Sequence, residues 1–382
     1  MKDLVLIGGG HAHVAVLRSF GMRPVPGQRL TLITRDIHTP YSGMLPGLVA
    51  GHYDFDACHI DLDPLARFAG ARLYHAEVEG LDLKNRLVHA PNHPPIAYDL
   101  LSINTGSRPN RVDIPGVDQY ALAAKPIDLF LRRWQRLIRR VLEHDGPFRI
   151  IVVGGGAGGV ELALSTQWHL QRALQTAGKD PSQLQFQLLT RGDGIMPGHN
   201  AGVRARFERI FSERGIPIRT DSPVTAVAPD RIVTKGGEST PADAVIWVTT
   251  ASAPAWLRAS GLAVDDAGFI KVDATLRSLS DERIFAVGDV AALPDPRPKS
   301  GVFAVRQGPV IAHNLRAAAT GKPLRPYRAQ KRFLGLISTG NQYAVASYGD
   351  WSYESAWLWH VKDWIDRRFM RKFSLLPEMA QD

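Results

Sequence analysis

The sequence of 382 residues contains a single cysteine, Cys58. A structural disulfide, a zinc site built on several thiolates, an iron–sulfur centre and a dithiol redox pair each need at least two cysteines. One chain can therefore form none of them alone. Chemistry that depends on such groups is excluded unless a second chain supplies the missing thiolate.

Long apolar runs are also missing. No stretch of about 18 apolar residues occurs, so we expect no helix that spans a bilayer. The N-terminus lacks the basic region, apolar core and cleavage site of a signal peptide, and a strand-like run begins at residues 4–7. We therefore expect a cytoplasmic protein whose mature chain starts at its first residue, with peripheral contact to the cytoplasmic face of the inner membrane left open.

Apolar residues make up 45% of the chain, and at roughly 100–200 residues per domain its length predicts two or three domains with substantial cores. Lys and Arg number 46 against 37 Asp and Glu, a formal net charge of +9. Such an excess suits nucleic acid, an anionic membrane or phosphate-bearing cofactors. The position of the charge must distinguish them.

An internal repeat is the most informative pattern. Residues 4–14 and 150–161 each contain an apolar β-branched run, then glycines, then a helix-like stretch. In this context a G-x-G-x-x-G motif binds a dinucleotide. The first glycine permits a tight turn, the second lets the backbone approach a pyrophosphate, and the following helix offers free N–H groups to the phosphates.

The two copies differ at the third glycine. The second copy is complete, with Gly154, Gly156 and Gly159. The first keeps Gly8 and Gly10 but has His13 in the third position. Because the third glycine serves only close packing of helix against strand, we expect a slightly displaced helix rather than a lost site.

His11 and His13 lie two residues apart at a predicted helix start. Such a pair can suggest a metal, but no carboxylate or cysteine neighbour completes a ligand set. A phosphate-facing or packing role is favoured, and no metal is predicted.

Both copies lack the acidic residue that usually holds the adenosine ribose at the end of the next strand. The first copy has Thr34 and Arg35 there, and the second has Thr190 and Arg191. Without a carboxylate a 2′-phosphate is not repelled, and Arg191 could pair with it. We therefore hypothesise that the second site accepts NADPH at least as well as NADH. Alternatively, Arg191 stacks on adenine or faces solvent.

Three further segments each predict a buried strand that leads into a turn of small residues, where a strand returns to a nucleotide. They are residues 99–107, 243–250 and 282–289. The first contains Thr105 and Gly106, and the last ends in Gly288 and Asp289.

Together these motifs resemble the flavoproteins with two dinucleotide-binding domains, of the pyridine nucleotide-disulfide oxidoreductase superfamily, and among them the type II NAD(P)H dehydrogenases. Segments 8–14, 38–47 and 366–370 resemble the dehydrogenase-like proteins found alone or fused to selenophosphate synthase. The similarity covers essentially the whole chain. It implies an α/β fold with two Rossmann-like domains and a C-terminal amphipathic segment. The FAD domain would comprise residues 1–115 and 265–330, the inserted NAD(P)H domain residues 116–264, and the C-terminal segment residues 331–382.

The resemblance also implies the cofactor sites, with FAD at the first motif and NADH or NADPH at the second. Asp289 would hold the flavin ribitol and phosphate region, and the helix near Phe303 would point its positive end at the flavin pyrimidine edge. The residues implied for FAD are Gly8, Gly10, His11, His13, Thr34, Arg35, Val78, Thr105, Gly106, Gly288, Asp289, Phe303 and Ala304. Those implied for the nucleotide are Gly154, Gly156, Gly159, Thr190 and Arg191.

Three residues are implied for catalysis. Pro46 matches the position where disulfide reductases of the superfamily carry their cysteine pair, and Cys58 lies outside that motif. Dithiol chemistry and a cysteine-based sulfide oxidase are therefore disfavoured. Glu161 matches carboxylates that approach the nicotinamide and flavin, although it could simply complement the helix dipole. Lys125 resembles a lysine at the entry to the nucleotide domain, with a solvated loop lysine as the alternative.

The C-terminal segment 356–376 predicts an amphipathic helix. Its apolar residues recur every four positions and basic residues lie elsewhere on it; the apolar set is Trp357, Val361, Ile365, Phe369 and Phe373. Such a helix can lie on an anionic membrane or dock on a core. The resemblance favours the membrane. The arginine-rich stretch 129–142 predicts a helix packed on a domain surface. No nucleic-acid recognition module is present, and no nucleic-acid partner is expected.

The function implied is an FAD-dependent dehydrogenase that takes hydride from NAD(P)H and passes electrons to a quinone near Pro46 and residues 303–307, without proton pumping or a redox-active disulfide. Two alternatives stay open. One is a soluble NAD(P)H-dependent reductase of a redox protein or of a selenium or sulfur compound. The other is a redox-sensing flavoprotein with little turnover. A homodimer is possible.

Overall fold

The computed structural model describes residues 1–109, 114–249 and 251–377. A five-stranded parallel sheet contains the first glycine motif. Its strands, in spatial order, are Ile284–Ala286, Leu100–Ile103, Lys2–Ile7, Gln28–Thr34 and Arg72–His75. The central strands are apolar runs buried on both faces, as a parallel sheet covered by helices requires.

A second parallel sheet repeats this arrangement around the second motif. Its strands are Ala121–Ala123, Ala244–Trp247, Phe148–Val153, Leu184–Leu189 and Ile218–Arg219. In both sheets the strand before the glycines is central. The next strand along the chain pairs with one of its edges, and a strand from later in the chain pairs with the other. Such a switch point opens a crevice at the carboxyl ends of the strands, where nucleotides bind. The predicted α/β fold with two Rossmann-like sheets is confirmed.

Helices begin directly after the second glycine of each motif. His11–Met22 follows Gly10 and packs against Gly301–Ala319, and Ala157–Thr176 follows Gly156. The other α-helices are Leu45–Val49, Phe55–Cys58, Leu62–Phe68, Val117–Tyr120, Ile127–Glu143, Ala201–Glu213, Ala255–Ala259 and Ala356–Ser374.

Small antiparallel sheets accompany the two five-stranded sheets. They comprise Gly80–Asp82, Leu87–His89 and Ile96–Ala97; Val224–Val227, Arg231–Thr234 and Ser239–Pro241; and the pairs His38–Pro40 with His59–Asp61 and Arg108–Pro109 with Ala251–Ser252. The short strands Ile270–Lys271 and Ala291–Ala292 pair in parallel. Thr250, which ended one predicted strand, lies outside the described residues.

The helix Ile127–Glu143 confirms the prediction for the arginine-rich stretch. Phe130, Trp134, Leu137 and Val141 are buried in the core of the second unit. Its arginines face outward or bind carbonyl groups at the surface.

The C-terminal part forms an antiparallel sheet followed by one long helix. The strands are Gly335–Ser338, Ala344–Tyr348 and Trp351–Ser355, and the helix is Ala356–Ser374. The Ser355 hydroxyl accepts a hydrogen bond from the Leu358 backbone N–H at 3.1 Å and so caps the helix. Within the described residues no helix is both long and apolar enough to cross a bilayer.

One face of this last helix is docked on the first Rossmann-like unit. Its buried residues are Leu358, Trp359, Lys362, Asp366, Met370 and Phe373. The apolar ones pack in a core that contains Met44 and Cys58. Burial raises the pKa of the Cys58 thiol to about 12, which leaves it unreactive near neutral pH.

The predicted apolar stripe on this helix is wrong as a single face. Trp357 is 68% exposed and Ile365 is 40% exposed, whereas Phe373 is buried. Residues spaced by four advance about 40° beyond a full turn at each step, because a helix has 3.6 residues per turn. Trp357 and Phe373 therefore lie on opposite sides.

We predict that Phe373→Ala costs about 3–5 kcal/mol of stability, because it leaves a cavity in the docked face. Trp364, on the same helix, is 59% exposed and provides the control. Trp364→Ala should change stability by no more than about 0.5 kcal/mol. Thermal unfolding of both variants measures the difference, and equal losses would contradict the docked orientation.

Candidate functional site

A cavity of about 1580 Å³ lies where the carboxyl ends of the two parallel sheets meet the C-terminal helix. Small-molecule sites usually occupy about 300–1,000 Å³, so this cavity has room for more than one ligand. Both glycine motifs reach it, through Gly8 and Gly10 and through Gly156. The C-terminal helix adds Lys362 and Asp366.

Most of the residues singled out in the sequence line this cavity. They are Gly8, Gly10, His11, Thr34, Arg35, Val78, Thr105, Gly106, Lys125, Gly156, Glu161, Asp289 and Ala304. Gly288 and Phe303 line a neighbouring cavity of about 130 Å³, which Asp289 also borders.

Six of the predicted residues lie outside both sets. Gly154 begins the loop that contains Gly156, Gly159 lies in the first turn of the helix that follows, and His13 is buried in the helix after Gly10. Thr190 is buried beside Gly155, and Arg191 is exposed. Pro46 is buried in the short helix Leu45–Val49, whose Leu48 reaches the cavity.

Asn104 holds the glycine turns of the first unit together. Its side chain is buried, and its Nδ2 donates a hydrogen bond to the Val287 carbonyl at 2.7 Å. A Cβ at Gly8 or Gly10 would collide with Asn104, and one at Gly288 would collide with its amide nitrogen. These glycines are therefore required by the Asn104 packing. The sequence offered only its place between a buried strand and the Thr105-Gly106 turn, and its role was missed.

His13 closes the first motif in a different way from the glycine it replaces. Its Nδ1 is 2.6 Å from the Gly8 carbonyl oxygen and its Nε2 is 2.8 Å from the Ser102 hydroxyl. Because a carbonyl only accepts, Nδ1 carries the proton and Nε2 accepts from Ser102. Burial lowers the pKa of His13 to about 4, which keeps the ring neutral. In the second motif a Cβ at Gly159 would collide with the Gly154 carbonyl.

His11 is the polar group that the fold leaves unsatisfied in this cavity. Its Nε2 is buried, and no hydrogen-bond partner for it exists within the described residues. The ring packs edge-on against Tyr41, with 5.4 Å between centroids, and burial lowers its pKa to about 4. A buried polar atom without a partner at the start of a helix calls for a ligand acceptor such as a phosphate oxygen.

Two glycines of the cavity lining leave open space in which a phosphate group could lie. A Cβ at Gly106 or Gly156 would meet nothing within 4 Å, and both residues line the cavity. The helix that starts after Gly156 directs its free N–H groups toward this opening. With His11, these cradles fit the pyrophosphates of FAD and of a nicotinamide dinucleotide.

Asp289 forms a polar cluster with Lys125 and Ser107. Lys125 Nζ lies 3.0 Å from Asp289 Oδ2 and 3.1 Å from the Ser107 hydroxyl, which donates to the same carboxylate at 2.9 Å. Although burial opposes it, the Lys125 charge and these hydrogen bonds keep the pKa of Asp289 below its usual range. Lys125 therefore pairs with an anionic Asp289, while 41% of its own side chain stays exposed.

The two units differ in the charged residues that follow the strands Gln28–Thr34 and Leu184–Leu189. Arg35 pairs with Asp36 at 2.5 Å and lies 3.4 Å from Asp128. The Asp36 side chain also borders the cavity, so a carboxylate is present two residues beyond Thr34. In the second unit Arg191 is exposed and has no ion-pair partner within the part of the chain that the structure describes.

The third wall of the cavity carries a buried charged pair. Lys362 Nζ donates to Asp366 Oδ2 at 2.6 Å and to the Gly43 carbonyl at 2.5 Å. Burial and interaction with the nearby Asp366 carboxylate raise the pKa of the Tyr41 hydroxyl. Tyr41 in turn stacks on Phe369, with 4.5 Å between centroids. These contacts fix the C-terminal helix against the loop that follows Pro40.

Glu161 faces the same wall from the second motif's helix. Its Oε1 accepts a hydrogen bond from the Ser338 backbone N–H at 2.8 Å. Burial, opposed by the nearby Lys362 charge and this hydrogen bond, raises the pKa of Glu161 to about 7. Lys362, Asp366 and Tyr41 were not predicted as site residues. The only signal for the first two was a Lys and an Asp four residues apart in a helix rich in aromatic and basic residues.

A sequence profile of the pyridine nucleotide-disulphide oxidoreductase family matches residues 2–308. The NADH dehydrogenase-like protein YutJ of Bacillus subtilis is 24% identical over 344 residues, which cover 89% of this chain and 90% of that protein. The type II NADH:quinone oxidoreductase of Haemophilus influenzae is 26% identical over 280 residues, or 66% of this chain and 63% of the relative.

Among solved structures, NDH2 from Plasmodium falciparum in complex with NADH superimposes with a TM-score of 0.81 at 15% identity. The match covers 98% of this chain and 97% of the other. At this identity the likeness establishes the fold.

The Glu161 environment predicts a pH dependence of stability. Its pKa is about 7 in the folded protein against an ordinary value of 4.5. Between these two pH values Glu161 therefore binds more protons in the native state than in the unfolded chain. The contribution of Glu161 to the free energy of unfolding therefore falls as the pH rises from about 4.5 to about 7. We expect the Tm of the wild type to fall relative to that of Glu161→Gln across it.

Differential scanning calorimetry from acid to neutral pH measures this trend. Glu208 is exposed on the helix Ala201–Glu213, and Glu208→Gln should follow the wild type. Parallel Tm profiles for the wild type and Glu161→Gln would contradict the raised pKa.

Proposed function

The chain belongs to the pyridine nucleotide-disulphide oxidoreductase family, and from this premise we propose an FAD-dependent NAD(P)H dehydrogenase that passes electrons to a quinone. The observation that carries the proposal is the single cavity of about 1580 Å³. It joins a cradle for each dinucleotide to a third wall, formed by Lys362 and Asp366, that neither dinucleotide motif provides.

FAD would be held by the first motif. Its diphosphate would face the helix start at Gly10 and the Nε2 of His11, and the adenosine end would lie by Thr34, Arg35 and Val78. Thr105, Gly106 and Ala304 would border the ring side, where Asp289 offers an anionic acceptor for ribityl hydroxyls. When bound, FAD accepts hydride from NAD(P)H and releases electrons one or two at a time.

NAD(P)H would be held by the second motif, with its pyrophosphate at Gly156. Gly154 and Gly159 keep that loop tight, because side chains there would collide with backbone oxygens. Thr190 closes the strand end, and the unpaired Arg191 would meet a 2′-phosphate. This arrangement supports the use of NADPH at least as well as NADH.

Glu161 would supply a proton to the acceptor, and Lys362 would stabilise its negative charge. Reduction of a quinone to a quinol takes up two protons with two electrons. A carboxyl group with a pKa near 7 can release and regain a proton at neutral pH, as a general acid requires. Lys362, fixed by Asp366 and Gly43, would keep a positive charge beside the developing negative charge of the acceptor.

The buried Cys58 and the absence of a second cysteine support electron transfer without a redox-active disulfide. Pro46 would act indirectly. It shapes the short helix Leu45–Val49, whose Leu48 reaches the cavity.

The cavity opening suits a lipophilic acceptor. Leu334 and Ile365 line the cavity and are 47% and 40% exposed, so they form an apolar mouth. Trp357 and Trp364 are exposed on the same helix as Ile365. We propose that this face of residues 356–376 contacts the cytoplasmic face of a membrane.

The docking of the other helix face favours a second candidate, a soluble reductase of a small redox protein or of a selenium or sulfur compound. In that case the apolar mouth would serve a protein or small-molecule acceptor. The two candidates share the first half-reaction and differ only in the acceptor.

Anaerobic rapid mixing separates these possibilities. The FAD-loaded protein is mixed with NADPH or NADH, and the bleached flavin is then mixed with a short-chain quinone. We expect complete reduction by either nucleotide and fast reoxidation by the quinone. Fast reduction with negligible reoxidation by quinone would favour the soluble reductase, and slow reduction would indicate a redox-sensing flavoprotein.

We predict that Arg191→Gln lowers kcat/KM for NADPH by about tenfold or more, because it removes a charge-assisted contact to the 2′-phosphate. The value for NADH should stay nearly constant. Arg139, exposed on the helix Ile127–Glu143 of the same unit, supplies the control Arg139→Gln. Equal losses with both nucleotides would overturn the role given to Arg191.

A further inference from the structure

The positive charge of this protein is concentrated in one part of the chain. Residues 296–349 contain nine Lys and Arg residues and no Asp or Glu, which equals the whole formal net charge of +9. The rest of the chain therefore carries as many acidic as basic side chains. Charge concentrated in this way makes this stretch the first place to look for a surface that attracts anions.

Within this stretch, residues 322–332 form a segment without helix or strand, here named the basic strap. Its backbone is fixed to the first unit. The buried Asn314 side chain bonds both the N–H and the carbonyl of Arg325 at 2.8 Å, and the Tyr327 N–H donates to the Ala274 carbonyl at 2.7 Å. The strap is thus held in place by its backbone and by Leu324 and Tyr327, which pack against the core, so its cationic side chains are not needed to hold it.

Those side chains point outward. All five cations of the strap are exposed, namely Lys322, Arg325, Arg328, Lys331 and Arg332. None forms an ion pair within the described residues, whereas exposed Arg132, Arg209 and Arg367 each pair with a carboxylate. The strap therefore presents fixed and uncompensated positive charge.

An aromatic hairpin adjoins the strap. Tyr348, Trp351 and Tyr353 are 47%, 54% and 52% exposed, and the last two rings stack with centroids 6.1 Å apart. The Arg332 guanidinium lies against Gly349 in the turn of this hairpin, 3.6 Å from the position of a Cβ there. Arg332 therefore brings the C-terminal end of the strap against the hairpin that carries the exposed rings.

We propose that the basic strap and the hairpin 348–353 bind the headgroups of anionic phospholipids. Exposed Tyr and Trp rings suit the boundary between headgroups and acyl chains, and unpaired cations beside them are attracted to anionic lipid. The strap leads directly into Leu334, which is exposed and lines the cavity. Binding here would place the cavity mouth at the bilayer surface.

This inference rests on the proposed function, because a lipid-dissolved quinone is the acceptor that gains from such a position. It adds a contact surface separate from the exposed face of the C-terminal helix. Each surface adjoins the cavity lining, the strap through Leu334 and the helix through Ile365.

The test uses the full-length, FAD-loaded protein and sedimentation with vesicles of phosphatidylcholine, alone or mixed with phosphatidylglycerol. The test variant is Arg328→Gln/Lys331→Gln/Arg332→Gln. The control variant, Arg136→Gln/Arg139→Gln/Lys235→Gln, removes the same charge from exposed positions of the nucleotide-binding unit.

We expect the wild type and the control to bind the mixed vesicles far better than pure phosphatidylcholine. The strap variant should lose about a hundredfold in partition into the mixed vesicles, as expected for three cations near an anionic surface. Both variants should keep wild-type rates of flavin reduction by NADPH and of reoxidation by a soluble short-chain quinone. These rates separate a failure of the inference from a failure of the proposed function.

Three results would overturn the inference. The first is wild-type binding that does not depend on phosphatidylglycerol. The second is equal loss of binding in the strap and control variants. The third is a wild type that ignores vesicles yet reduces an acidic ferredoxin at a rate that falls only in the strap variant, which would assign the surface to an acidic protein.

Discussion

The buried pair of Lys362 and Asp366 is the constraint on which the site depends. Removing two charges from water costs several kcal/mol each unless every polar atom is satisfied. Here the ammonium donates to Asp366 and to the Gly43 carbonyl, and the Tyr41 ring lies close to the carboxylate. These partners come from the first unit and the C-terminal helix together, so one orientation of the helix satisfies them. That orientation gives the cavity its third wall and turns Trp357 and Ile365 outward.

The two glycine motifs show how one fold tolerates different loop chemistry. In the second motif Gly159 lets the helix approach the Gly154 carbonyl directly. In the first, the neutral imidazole of His13 fills that position and hydrogen-bonds the Gly8 carbonyl, while Asn104 packs against Gly8, Gly10 and Gly288. The departure from the motif is therefore compensated within the same turn, and the open side of the turn still faces the cavity.

Local pattern was enough to predict the fold, because apolar strands followed by glycine turns repeat twice and each strand is a continuous buried run. Most of the residues that this pattern predicted for cofactor binding line one cavity. Local pattern failed where partners are distant in sequence. Lys362 meets Gly43 across 319 positions, and Glu161 meets Ser338 across 177. The predicted apolar stripe on the C-terminal helix failed for a different reason, because residues spaced by four do not stay on one face of a helix. The prediction also missed the two buried charged residues, Lys362 and Asp366, on the docked face.

The central claim is that one cavity has a nucleotide side and a separate acceptor side at which Glu161 supplies a proton. The most direct test measures both half-reactions of Glu161→Gln by anaerobic rapid mixing, since glutamine can still accept the Ser338 hydrogen bond. We predict that reduction of the bound flavin by NADPH keeps its wild-type rate, while reoxidation by a short-chain quinone slows by about a hundredfold. Equal slowing of both half-reactions, or an unchanged reoxidation rate, would contradict the claim.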